Sequence, residues 1–242
     1  MKKIAAFFDI DGTLYRDSLL TEVFKKFVTY ELVDRSKWYD DVKPFFTKYD
    51  RRQGEYDDYL MKIADIYKST LIGLSKEHIL HIADVAISQK GDRVYRFTRD
   101  AIAKHKQEGH LVFAVSGSPL ELVKVMAEKY GFDDYFGTIY VTDENGKYNG
   151  EVVPMWDHIS KAKALNELAS KYDIDLSASY AYGDTSGDFS MFQMTGHPFA
   201  INPTKELLDI IKDDKVVADK INIIVERKNV IYHLKYKDII AE

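Results

Sequence analysis

Cysteine is absent from the sequence, which removes disulfides, thiolate metal sites and cysteine nucleophiles from consideration. No apolar run approaches the ~20 residues that a membrane-crossing helix needs. The basic excess that accompanies generic nucleic-acid binding is missing too. The chain has 34 Lys and Arg against 39 Asp and Glu, a net charge of −5 and a pI of about 5.8. Low-complexity segments and internal repeats are lacking. The amino terminus, Met1-Lys2-Lys3, turns apolar as a secretory signal would. Asp9 and Asp11 interrupt it too early, however, and no small-residue cleavage site follows. The expectation is a cytoplasmic protein with no membrane or nucleic-acid partner. What is present suffices for a core: 242 residues, 45% hydrophobic and 30% charged. That fits one large α/β domain, or a core domain with a smaller insertion.

Hydrophobic patterning sets the order of elements. Ile4 to Phe8 is a continuous apolar run, the mark of a strand buried on both faces. It leads into Asp9-Ile10-Asp11-Gly12-Thr13, where the glycine permits a sharp turn. From Ser18 to Arg93 the period becomes helical. Val23, Phe24, Phe27 and Val28 share a face, as do Leu60, Ile63, Ala64 and Tyr67, and then Ile79, Ile82, Ala83 and Ala86. Alternation of strand and helix resumes near Tyr95. A helix runs to Glu108 and stops at Gly109. Strands follow at Leu111–Val115, Thr138–Val141, Ala178–Tyr182 and Phe199–Ile201, and a helix at Lys161–Tyr172. Asn145-Gly146 and Asn149-Gly150 read as turns of a hairpin. This α/β pattern implies a mainly parallel sheet covered on both faces, with ligands bound outside the carboxyl ends of its strands.

Three predicted strands end in polar clusters, and the fold brings those ends to one edge. Asp9 and Asp11, two apart after a buried strand, suit a solvated turn, a magnesium site, or a nucleophile with its acid–base partner. An apolar strand running straight into them favours function, because buried carboxylates must be paired, bound to a cation or protonated. Ser116 and Gly117, opening a helix, can hold phosphate oxygens through a hydroxyl and N–H groups, or serve as a plain helix cap. Asp184 and Asp188 can join Asp9 as oxygen ligands to a hard cation such as Mg²⁺, or line an ordinary Gly-containing loop. Lys161 can offset this negative charge or lie in solvent, with Lys163 as the fallback. The seven histidines show no metal-ligand spacing, and Met191, Phe192 and Met194 read as packing.

Taken together, these residues resemble the haloacid dehalogenase (HAD) superfamily. Asp9-Ile10-Asp11-Gly12-Thr13 is similar to its first motif, DxDGT, and Ser116-Gly117 to its second. Lys161 followed by Leu165 is similar to the third, and Gly183-Asp184 through Asp188 to the fourth, GDxxxD. With a helical insertion between the first two motifs, the chain resembles subfamily IB and its phosphoserine phosphatases. The resemblance implies a Rossmann-like three-layer core with a parallel sheet (1–14 and 95–242) and a helical C1 cap (15–94). It implies a phosphatase acting on a small phosphorylated metabolite. Asp9 would be the nucleophile, forming an aspartyl-phosphate, and Asp11 the acid–base. Mg²⁺ would be held by Asp9, the Asp11 carbonyl and Asp184, with Asp188 in support. Ser116, Gly117 and Lys161 would bind phosphate. Transfer to an acceptor other than water is the alternative within the fold. A phospho-accepting signalling domain fits less well, since it lacks both a second aspartate and a large insertion. Two positions depart from the pattern: Ser18 stands where an acidic cap residue is expected, and Gly187 where asparagine often precedes the last aspartate.

Overall fold

The computed structural model describes residues 2–239. Its first strand, β1 (Ala5–Phe8), is buried along its whole length. Side chains alternate between the faces of a strand, so Phe7 and Phe8 serve different cores. Phe7 packs on Phe113, with ring centroids 5.5 Å apart, while Phe8 stacks on Tyr182 at 4.1 Å. Burial of each contributes about 1.5–3 kcal/mol.

The chain then leaves the sheet for a helical segment. It comprises α1 (Leu19–Thr29), α2 (Arg35–Lys37), α3 (Lys43–Asp50), α4 (Tyr56–Leu71) and α5 (Lys76–Lys90), with a π-helical turn at Trp38–Val42 before α3. The apolar spacing dictates the packing. Tyr59, Ile63, Tyr67 and Leu71 form one buried stripe of α4, and Ile79, Ile82, Ala83 and Ala86 one of α5. The segment leaves and rejoins along two adjacent strands of chain. Arg16 N–H donates to the Arg93 carbonyl and Tyr95 N–H to that of Leu14, both at 2.9 Å.

The remaining elements are α6 (Arg96–Gln107), β2 (Leu111–Pro119), α7 (Leu120–Tyr130), β3 (Asp134–Thr142), β4 (Tyr148–Val153), α8 (His158–Tyr172), β5 (Tyr180–Gly183), α9 (Phe189–Met194), β6 (His197–Ile201), α10 (Lys205–Asp213), α11 (Lys215–Lys220), β7 (Asn222–Arg227) and β8 (Val230–Lys235). They build an eight-stranded sheet in the order β4-β3-β2-β1-β5-β6-β7-β8. Pairing is parallel from β3 to β7, and the antiparallel strands β4 and β8 close the two edges. One face packs against α6, α7 and the helical segment through Phe8, Val112, Ala114, Leu122 and Met126. The other packs against α8 to α11 through Phe7, Phe113, Leu165, Leu168, Phe192, Leu207 and Ile211. The expected α/β architecture is therefore present. From β1 the chain builds outward to β2 and β3, then returns to place β5 on the other side of β1. This reversal of strand order opens a crevice at the carboxyl ends of β1 and β5.

Several local expectations are corrected. Asn149-Gly150 lies inside β4 rather than in a turn; Asp143 makes the turn instead, accepting from Asn145 and Lys147 N–H at 2.9 Å. The third parallel strand starts at Tyr180, because Asp175 caps a 3₁₀ turn over Leu176–Ala178. α8 starts three residues before Lys161, because the Asp157 carboxylate accepts from the N–H groups of Ile159 and Ser160.

Candidate active site

The crevice gathers side chains from four stretches of chain. Asp9 follows β1 directly, and its N–H donates to the Tyr182 carbonyl of β5 at 2.9 Å. That bond fixes the carboxylate beside the end of β5, where Asp184 emerges. Gly12 has φ +76°, a left-handed conformation. A Cβ there would overlap the Asp184 carboxylate, so the tight turn and the close approach both require glycine. Thr13 donates its hydroxyl to Asp184 Oδ1 at 2.9 Å.

Lys161, on the first turn of α8, reaches into the crevice. Its Nζ donates to Asp9 Oδ1 at 2.8 Å and to Asp188 Oδ1 at 2.5 Å. All three residues are buried: Asp9 is 5% exposed, Lys161 3% and Asp188 0%. Asp188 also accepts on Oδ2 from the N–H groups of Asp184 (2.9 Å) and Thr185 (3.0 Å). Both of its oxygens are thus committed to protein donors, and it locks the loop and the lysine in place. Lys163, the fallback, is exposed on the outer surface of α8.

Asp11 faces the same space from the other side. Ser118 Oγ donates to its Oδ2 at 2.5 Å and Leu19 N–H to its Oδ1 at 2.9 Å. Ser116 is buried, and its Oγ accepts from Ser118 N–H at 3.3 Å. No protein contact joins Ser116 to the carboxylates among the described residues. Gly117 is half-buried beside the Trp156 backbone.

The charges do not balance within the protein. Four aspartates, Asp9, Asp11, Asp184 and Asp188, share one ammonium group. Burial pushes the Asp9 carboxyl up to about 7, against the pull of Lys161 and with help from Asp188. Burial raises Asp11 to about 6, with the Ser118 and Leu19 hydrogen bonds opposing it. Asp184 is raised by burial and then by Asp188 and Asp9. Burial disfavours the charge of Lys161, but Asp188 and Asp9 outweigh it and hold the ammonium above the ordinary lysine range.

A scan of the sequence against known families matches the haloacid dehalogenase-like hydrolase profile over residues 6–193. The chain belongs to that family. The chain is also similar to two curated relatives. One, from Streptomyces azureus, is named an inhibition of morphological differentiation protein; it is 29% identical over 209 residues, 86% of this chain and 74% of its own length. Another, a probable phosphatase of Mycobacterium tuberculosis, is 28% identical over 207 residues, covering 85% of this chain and 71% of the relative. A solved phosphoserine phosphatase, in a phospho-aspartyl intermediate analogue form, superposes with a TM-score of 0.59. It is 22% identical and covers 94% of this chain and 95% of its own, which shows a shared fold.

For a member of this hydrolase family the oxygen donors fit a hard cation. Carboxylate oxygens of Asp9, Asp184 and Asp188 lie within 4.8 Å of one another. Oδ2 of Asp9 and Oδ2 of Asp184 take no protein hydrogen bond among the described residues. The same holds for the Asp11 backbone carbonyl. A cluster of anionic and carbonyl oxygens in excess negative charge suits Mg²⁺ and not a soft metal.

Sequence reasoning missed some of this HAD hydrolase's site. Thr13 and Thr185 sit inside the recognised motifs and Ser118 directly follows one, yet nothing in their spacing marks them as the partners of Asp184, Asp188 and Asp11. Trp156 left no signal at all. Its backbone lies so close to Gly187 that a Cβ there would overlap the Trp156 carbonyl, which accounts for glycine where asparagine is often found. Ser18, the second departure, is fully buried at the start of α1, its hydroxyl 3.5 Å from Asp11 Oδ2. It is part of the wall behind Asp11. Arg16, Asp17, Tyr56 and Tyr95 surround the mouth instead. The Tyr56 hydroxyl is raised by burial and then by Asp11 and Asp17, and that of Tyr95 by burial and then by Asp184.

Proposed function

We propose that this chain is a Mg²⁺-dependent phosphomonoester hydrolase that works through an aspartyl-phosphate on Asp9. The observation that carries the reading is the Lys161 ammonium, buried and shared between Asp9 and Asp188. It holds one oxygen of Asp9 and leaves the other without a protein donor, directed into a crevice with excess negative charge. That is the arrangement an in-line nucleophile needs. The relative named as a probable phosphatase supports the same chemistry.

When bound by Asp9, Asp184 and the Asp11 carbonyl, Mg²⁺ supplies positive charge that lets a phosphate dianion approach a carboxylate. The residues do the rest. The Asp9 carboxylate attacks phosphorus, and the bond from phosphorus to the substrate oxygen breaks. Asp11, whose carboxyl burial raises to about 6 so that a protonated fraction persists near neutral pH, gives its proton to the departing oxygen. Asp11 then takes a proton from water as that water attacks phosphorus, and the bond to Asp9 breaks to release phosphate. Ser118 and the Leu19 N–H hold Asp11 in one orientation through both steps. Lys161, Ser116 Oγ and the Gly117 N–H stabilise charge spread over the equatorial oxygens. Residues 15–94 act as a cap whose Tyr56, with Arg16 and Asp17, faces the substrate and limits water during the first step.

The first test is Asp9→Asn assayed beside wild type on an activated aryl phosphate, with and without Mg²⁺. The wild type should release phosphate only with the metal, and the variant should lose at least about 10³-fold in kcat, roughly 4 kcal/mol of barrier. A variant that keeps near wild-type turnover would remove Asp9 as nucleophile. Transfer of phosphate to an added alcohol in preference to water would redefine the reaction as phosphotransfer.

A further inference from the structure

The far edge of the sheet carries a second cluster of metal-ligating side chains, which the spacing of the histidines in the sequence conceals. His105 lies in the last turn of α6, Glu108 follows the helix, and Gly109, at φ +75°, reverses the chain. His110 N–H then donates to the His105 carbonyl at 2.9 Å. That turn folds the His110 ring back onto the His105 ring, so that the two Nδ1 atoms stand 2.9 Å apart. A Glu108 oxygen lies 3.7 Å from His110 Nδ1. One donor atom from each of the three residues falls within 4.8 Å of the others.

We propose that His105, Glu108 and His110 form a binding site for a borderline divalent cation, of which Zn²⁺ is the best match. Two imidazoles and one carboxylate are a Zn²⁺ ligand set, with a fourth position open to solvent on the Glu108 side. The surroundings are built as metal sites are built. His105 is 3% exposed. Its other nitrogen, Nε2, lies 2.8 Å from the buried Tyr182 hydroxyl. With Nε2–H donating to that oxygen, Nδ1 of His105 carries the lone pair and accepts a hydrogen bond from His110 Nδ1–H, whose proton a cation would replace. The Tyr180 ring backs both imidazoles, at 4.5 Å from His105 and 5.8 Å from His110. A tetrahedral ion with Zn–N bonds of about 2.0–2.1 Å needs the two nitrogens about 3.3 Å apart. The nitrogens must part by a few tenths of an ångström, and the rings, which now face each other nitrogen to nitrogen, must turn toward the ion; His110 is the ring nearer solvent. Glu108 has one competitor, the exposed Lys104 ammonium at 3.8 Å.

This site is separate from the crevice. His110 immediately precedes β2 and Ser116 lies near its other end, so roughly 20 Å of extended chain divides them. A cation here would tie the end of α6 to the amino ends of β2 and β5, opposite the catalytic edge.

The test is equilibrium dialysis of the untagged, demetallated full chain against Zn²⁺ in excess Mg²⁺, with bound zinc counted by atomic emission. Wild type should retain one Zn²⁺ per chain, and its His105 and His110 ring nitrogens should shift in ¹⁵N NMR spectra. His110→Gln and Glu108→Gln alter partly exposed groups and should each weaken binding at least 10-fold. Asp184→Asn, which breaks the carboxylate cluster, should keep the zinc. No zinc retained by wild type under excess Mg²⁺ would overturn the proposal. So would retention undiminished in both His110→Gln and Glu108→Gln, or loss in Asp184→Asn alone, which would assign the zinc to the catalytic crevice.

Discussion

Lys161 and Asp184 are both needed for the proposed chemistry, yet they act on stability with opposite signs. Lys161 is the buried ammonium of this crevice, within hydrogen-bonding distance of Asp9 and Asp188. Replacing it with methionine leaves those two charges facing each other. Breaking a buried pair in this way costs about 3 kcal/mol or more. Asp184 is instead a surplus negative charge, raised by burial and by Asp188 and Asp9. In metal-free buffer at neutral pH, Lys161→Met should therefore unfold at lower urea than wild type, and Asp184→Asn at higher urea. Both should lose at least about 10²-fold in Mg²⁺-supported kcat. Urea midpoints that move in the same direction would mean that the carboxylate excess is not what governs this crevice.

At the level of elements, the sequence was readable wherever one chemical cause dominated. The apolar run Ile4–Phe8 had to be a two-sided buried strand, and it is β1. The four-residue spacing of Ile63 and Tyr67 had to be helix, and it lies in α4. Three of the four motifs were readable because strand ends carry them, and the remaining one, Lys161, because a helix start does. Boundaries were not, because side-chain caps set them: Asp157 starts α8 ahead of Lys161, and Asp175 delays β5. The partners of the catalytic groups escaped for another reason. Ser118 and Thr13 act through hydrogen bonds that exist only once β1, β2 and β5 are side by side. Asp134 is a further example, invisible in sequence yet joining β3 to α8. Its Oδ2 accepts from Lys171 Nζ at 2.8 Å and from Tyr172 Oη at 2.9 Å. Partial burial works to raise its pKa, but hydrogen bonds from Lys171, the Tyr135 N–H and Tyr172 outweigh it and hold it below 3.8. A lowered folded-state pKa means that the unfolded chain binds the proton first as pH falls. The stabilisation is then complete above 3.8 and disappears as pH drops through the folded value. Asp134→Asn should melt below wild type by a constant margin between pH 5 and pH 7, and the margin should shrink below about pH 4. A margin independent of pH down to pH 3 would show that the carboxylate charge plays no part in this tether.

Across the whole molecule, the helical segment and the sheet share one hydrophobic cluster that runs from Phe8 and Ile10 through Phe24 and Phe27 to Tyr67, Ile82 and Met126. Tyr67 is the joint. It is fully buried, stacks on Phe27 of α1 at 5.3 Å, and meets Tyr140 of β3 edge-on at 5.2 Å. The helical segment joins the sheet through two crossing strands of chain, hydrogen-bonded at Leu14–Arg16 and Arg93–Tyr95. A shared cluster also couples unfolding of the helices to that of the sheet. Calorimetry should show a single transition for the whole chain, with calorimetric and van't Hoff enthalpies in agreement. Tyr67→Ala should remove about 3–5 kcal/mol, as truncation of a buried aromatic does, and should lower that one transition as a unit. If the variant instead splits the melt in two, with the helices unfolding ahead of an unchanged sheet, the cap and the core are independent folding units and the joint at Tyr67 is only a contact between them.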